Sequence, residues 1–81
     1  MTKVRIDIID EPGMLARISN LIAKYGGNII EIYHQRMFND VPVKNAKIDA
    51  IIEALSVEHI ASIIKALRED GFQVSEIMER S

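Results

Sequence analysis

The stretch IDIIDEPGMLARISNLIAKYGGNIIEI, in the first half of the chain, can be laid over IDAIIEALSVEHIASIIKALREDGFQVSEI in the second. Strand-like alternation, an apolar helical stripe, glycine and a further strand recur in the same order. A chain that repeats a strand–helix–strand unit of about 30 residues has few ways to bury both copies. The expected order is βαββαβ. The expected fold is α+β and ferredoxin-like: a four-stranded antiparallel sheet with two helices on one face.

Each element can be read from its spacing. Val4, Ile6 and Ile8 alternate with Lys3, Arg5 and Asp7, the period of a half-buried strand. Asp10-Glu11-Pro12-Gly13 interrupts it, and an acidic residue followed by proline predicts a helix start with Pro12 in the first turn. Met14, Leu15, Ile18, Leu21, Ile22 and Tyr25 fall on one helical face, and Gly26-Gly27 ends the helix. A second strand is predicted over residues 28–38, with Ile30 and Ile32 on one face and Ile29, Glu31 and Tyr33 on the other. Asn39-Asp40-Val41-Pro42 is a turn signal. The third strand, 46–55, carries Ala46, Ile48, Ala50, Ile52 and Ala54 on one face. Ser56 is placed to cap a second helix striped by Ile60, Ile63, Ile64 and Leu67, Gly71 ends it, and residues 72–77 form the last strand.

At 81 residues there is room for one domain, taken as 1–81, and one core. A net charge of −2 and a pI near 5.6 lack the basic excess of a nucleic-acid-binding domain. The two expected central strands, the first and third, also carry no aromatic residue on which bases could stack. The apolar runs are two or three residues long, which predicts neither a membrane span nor a leader and makes the cytoplasm the expected location. The absence of cysteine removes thiolate metal sites and a cysteine nucleophile, and no His/Asp/Glu spacing such as HExxH occurs, so no metal is expected. His34 and His59 fall in different halves with no nucleophile paired to either. Ser19, Ser56, Ser62, Ser75 and Ser81 lie in helices, strands, caps or ends, without a GxSxG elbow. The sheet face away from the helices is expected to carry Ile9, Ile29, Tyr33, Ile51 and Leu55, apolar enough to suggest a partner.

The segment at residues 10–15 is the best candidate site. It joins a strand to a helix N-terminus, where free N–H groups and the positive end of the dipole can hold a carboxylate. Gly13 lets a ligand approach the backbone, and Asp10 can accept bonds from an ammonium group. The same residues also have a purely architectural explanation, in which Asp10 caps the helix, Pro12 starts it and Gly13 turns the chain.

DEPGMLARISNLIAKYGGNIIEI, with its acidic residue, PG, Leu15 and Gly-Asn-Ile, resembles the signature of the ACT domain, a small βαββαβ module that binds amino acids and regulates metabolic enzymes. The later part, HQRMFNDVPVKNAKIDAIIEALSVEHIASIIKALREDGFQV, is similar to the C-terminal regulatory segment of pyridoxal-phosphate-type threonine dehydratases; the matching features are His34, Arg36, Phe38, Asp40 and Pro42. The resemblance implies a non-catalytic domain that binds a small amino acid, isoleucine or valine, between two subunits. One side of the site would be Asp10, Pro12, Gly13, Met14 and Leu15, with Met14 and Leu15 supplying N–H groups. The other would be Asn28, Ile29 and Ile30 of a neighbour, with Asn28 hydrogen-bonding the ligand. A homodimer or higher oligomer through the sheet is implied, with no nucleic acid or membrane partner. No cofactor is expected in the chain, which shows no Schiff-base lysine context and no Gly-rich phosphate cup; pyridoxal phosphate would belong to the host's catalytic domain. A free-standing amino-acid sensor and a ligand-free dimerisation module remain alternatives.

Overall fold

The computed structural model describes residues 1–9, 12–36 and 45–77. They form β1 (Thr2–Ile9), α1 (Met14–Lys24), β2 (Asn28–Arg36), β3 (Asn45–Glu53), α2 (Val57–Glu69) and β4 (Gln73–Ile77). The strands make one antiparallel sheet in the order β2-β3-β1-β4, so β1 and β3 are central. This is the expected ferredoxin-like arrangement.

The core lies between the sheet and the two helices. Val4, Ile6 and Ile8 of β1 meet Ala46, Ile48, Ala50 and Ile52 of β3, and Ile18 and Ile22 of α1 close over them beside Ile60, Ile63, Ile64 and Leu67 of α2. Period-2 strands and period-3.6 helices thus point their apolar stripes at the same layer. Ser56 caps α2 as expected, its Oγ accepting from the His59 N–H at 3.1 Å. At Gly27 the backbone lies hard against the core. A Cβ there would meet Ile22 Cγ2 at 2.8 Å, Ile63 Cδ1 at 2.9 Å and Ile52 Cγ2 at 3.2 Å.

Four expectations are corrected. First, α1 begins at Met14 and its N-cap is Gly13, in the left-handed conformation at φ +86°; Pro12 therefore precedes the helix instead of opening its first turn. Second, Leu15 and Tyr25 are exposed, not part of the α1 core stripe. Third, β2 carries a bulge between Ile29 and Glu31, where Ile29 opposes Ile52 and Glu31 opposes Ile51. The extra residue, Ile30, is 44% exposed, and Ile29 and Ile32 both pack on the core. A bulge resets the two-residue alternation, so Ile30 and Ile32 do not share the core face.

Fourth, the face away from the helices is less apolar than expected: Ile9, Tyr33 and Ile51 do lie on it, but Ile29 turns to the core and Leu55 lies beyond the end of β3. Around them the face is charged and centred on an ion pair. Asp49, only 2% exposed, accepts from Arg5 Nε at 2.8 Å and from a terminal guanidinium nitrogen at 3.0 Å. Tyr33 lies directly across from Asp49, donates to Glu31, and has Lys3 over its ring at 6.0 Å.

The Arg5 hydrogen bonds hold the Asp49 carboxyl below the ordinary carboxylate range, with Arg5, Lys3 and Lys47 adding charge attraction against the opposing effect of burial. A carboxyl lowered in the folded state adds stability above its unfolded pKa and loses it as pH falls through the folded value. Asp49→Asn is therefore expected to destabilise the protein at pH 7 and progressively less below about pH 4. Urea unfolding of both proteins at several pH values checks this, and a pH-independent difference would exclude the charge as the cause.

Candidate site at the β1–α1 junction

The first turn of α1 follows directly from its sequence. Gly13 adopts the left-handed conformation that a side chain resists, and its carbonyl accepts from the Arg17 N–H at 3.0 Å. Among the described residues no side chain caps the helix, and its first turn holds no acidic residue. The leading N–H groups lie at the positive end of the helix dipole with no described side-chain acceptor. A Cβ built on Gly13 meets none of the described residues within 4 Å.

Of the expected site residues, Pro12, Gly13, Met14 and Leu15 lie together at this junction, whereas Asp10 lies outside the described residues. Asn28, Ile29 and Ile30 lie at the other end of the sheet. Ile9 pairs with Asn45 and Asn28 with Glu53, the two extremes of β3. At about 3.3 Å per residue that separation is roughly 26 Å. One chain does not bring the two halves together.

A cleft of about 570 Å³ opens beside the junction. Its floor is apolar, from Ile8, Met14, Ala46 and Phe72. Its rim carries Asp7, Lys47 and Gln73, which are neighbours in one row across β3, β1 and β4. Arg17 borders the same cleft: its Nε donates to Asp70 Oδ2 at 2.7 Å and a terminal nitrogen donates to the Asp70 carbonyl at 3.1 Å, with the guanidinium 5.1 Å from the centre of the Phe72 ring. Sequence reading missed this wall, because Arg17 and Asp70 come from different halves and neither belongs to a motif.

The histidines separate into two surroundings. His59 Nδ1 accepts from the Leu55 N–H at 3.0 Å, so its Nε2 carries the proton and donates to the Tyr25 carbonyl at 2.6 Å. Both ring nitrogens are committed to tying the end of α1 to the β3–α2 turn. His34 is exposed on β2, opposite Ile48. Arg36 ends β2, and Phe38, Asp40 and Pro42 lie outside the described residues. Among the described residues no group of three or more His, Asp or Glu is placed to hold a metal, and no helix is long and apolar enough to cross a membrane.

A βαββαβ sandwich is shared by proteins of many functions, and comparison with known proteins identifies the family. The chain belongs to the ACT domain family, whose model matches residues 2–72. It is 30% identical over 67 residues to an L-threonine ammonia-lyase of Thermotoga maritima, covering 83% of this chain and 17% of that protein. It is 32% identical over 72 residues to an L-threonine ammonia-lyase of Geobacter sulfurreducens, covering 89% of this chain and 18% of that protein. The chain thus spans less than a fifth of the length of these curated relatives. Among solved structures, the ACT domain from GTP pyrophosphokinase of Chlorobium tepidum superposes with a TM-score of 0.71 at 20% identity, covering 94% of this chain and 95% of that one. ACT domains are regulatory modules, and this chain is one by fold and by sequence.

Proposed function

We propose that this chain is an amino-acid-sensing regulatory domain controlling a threonine ammonia-lyase, with isoleucine or valine as its ligand. The observation that carries the ligand site is the start of α1, where no described side chain caps the leading N–H groups behind the left-handed Gly13. That arrangement suits a carboxylate. The two relatives named L-threonine ammonia-lyase support the choice of host. In this reading Gly13, Met14 and Leu15 of one chain hold the ligand carboxylate, Asp10 takes its ammonium group, and Asn28–Ile30 of a second chain close the site. The separation of these segments along the sheet supports a dimeric site. The domain acts in the cytoplasm and needs no cofactor; the dehydratase chemistry and its pyridoxal phosphate belong to the host's catalytic part. Ligand binding then shifts the host by its differential affinity for two arrangements of paired domains.

A thermal-shift screen against the twenty amino acids tests this. A ligand that binds the folded state alone raises the melting temperature by mass action, by about 2.7 kcal/mol of stability at a hundredfold excess over Kd. A shift with isoleucine or valine is expected. A shift only with another amino acid would discard the proposed ligand, and no shift with any would discard amino-acid sensing by the chain.

A further inference from the structure

His59 joins α2 to two other parts of the fold, and both of its ring partners are backbone groups with fixed roles. The Leu55 N–H can only donate, so Nδ1, 3.0 Å away, carries no proton. The Tyr25 carbonyl can only accept, so Nε2, 2.6 Å away, carries one. The arrangement therefore requires a neutral ring. Leu55 lies in the turn between β3 and α2, and Tyr25 is the C-cap of α1. The ring also rests against the chain that enters β2, since a Cβ on Gly26 would stand 3.3 Å from Nε2. His59 is half-buried in the first turn of α2, where the positive end of the helix dipole opposes a further positive charge. The charged and titratable side chains on the elements that meet there are Lys24 and Tyr25 at the end of α1, Glu53 at the end of β3 and Glu58 in α2, all exposed. The chain from Gly26 to Ile30 carries none.

We propose that His59 is a proton-sensitive clasp on the β3–α2 turn. A proton on Nδ1 turns the ring's one acceptor into a donor. The ring then meets the Leu55 N–H with an N–H of its own, while its bond to the Tyr25 carbonyl is kept. The turn is released and the end of α1 is not. Opening takes up a proton, so the closed clasp gains as pH rises and is lost in acid, over the range of about pH 5–8 in which histidine changes charge. Asn28 pairs with Glu53, the last residue of β3 before this turn. In the reading above Asn28–Ile30 closes a neighbour's amino-acid site, so the same proton weakens ligand binding. That final step rests on the reading above; the clasp itself does not.

Amide hydrogen exchange followed by NMR, corrected for the intrinsic effect of pH, tests the clasp. Protection of the Leu55 amide is expected to fall about five- to tenfold from about pH 8 to about pH 5, the change that one lost hydrogen bond brings. Glutamine suits the third position of a helix, so His59→Gln keeps the fold and has no proton to gain. There the Leu55 protection is expected to be the same at both pH values. Unchanged protection in the parent protein, or an equal fall in His59→Gln, would overturn the clasp. Calorimetry with L-isoleucine reads the functional step: affinity is expected to weaken in acid in the parent and not in His59→Gln. Equal pH dependence in both proteins would separate the clasp from the site, and no binding at either pH would refute the amino-acid reading alone.

Discussion

Gly27→Ala is expected to lower the stability of the protein by about 1–3 kcal/mol, although it adds a single methyl group. The methyl would enter a space bounded by Ile22, Ile52 and Ile63 from α1–sheet–α2 contact, two of them closer than 3.0 Å. The chain enters β2 directly after Gly27, and its N–H donates to the Ile22 carbonyl at 2.9 Å, so the backbone has little room to retreat. For a domain of this size a loss of 1 kcal/mol lowers the melting temperature by roughly 4–8 °C. A double-mutant cycle isolates the cause. Ile63→Val removes Cδ1, the atom 2.9 Å from the new methyl. Alone it should cost about 0.5–1.5 kcal/mol. In the Gly27→Ala background it should cost less, or stabilise. Strictly additive effects in urea unfolding would show that the clash is not with Ile63. Gly13→Ala makes a useful contrast, because there only the left-handed backbone resists the change and no neighbour does.

The second large effect separates the two faces of one strand. Ile48→Ala should cost about 2–5 kcal/mol, because Ile48 is fully buried between its cross-strand partners Ile6 and His34 and beneath the helices. Ile51→Ala, three residues along β3, should cost about 1 kcal/mol or less, since Ile51 is half-buried on the opposite face beside Lys3 and Glu31. A total stability of about 4–12 kcal/mol for 81 residues would leave the Ile48 variant marginal. Matched chemical denaturation curves give both values. Equal losses would mean that Ile51 is covered in solution, as in a face-to-face dimer.

The contrast between Ile48 and Ile51 shows what was legible in the sequence. Where the period stayed regular, as in Val4-x-Ile6-x-Ile8 and Ala46-x-Ile48-x-Ala50, the buried face could be read directly. The Ile60, Ile63, Ile64 and Leu67 stripe was equally plain, and so was the Ser56 cap. The bulge at Ile30 was not. Ile29-Ile30-Glu31-Ile32 offers an isoleucine to either phase, and no glycine or proline marks the slip. The start of α1 was misplaced by the proline rule, because a left-handed Gly13 competes for the cap position and wins. Asp49 was hidden for another reason. Its burial comes from the long side chains around it, Arg5 above all, and that is a property of three strands together rather than of β3. At the candidate site, the open helix start was visible as a local motif. The Arg17–Asp70–Phe72 wall was not, since it is assembled by tertiary contact between the two halves.

The pairing of β1 also has a consequence in time. Both of its sheet neighbours, β3 and β4, lie far downstream, and Lys3 waits for Ile77 to complete its register. A ribosome adding about 5–20 residues per second needs roughly 4–15 s to make that length of chain. β3 is complete at Glu53, so Val4, Ile6 and Ile8 have that partner first, and the other edge of β1 stays open until β4 is made. The first strand of the domain is therefore the last of the four to gain all its neighbours, and a chaperone that shelters open strand edges has its longest task at β1.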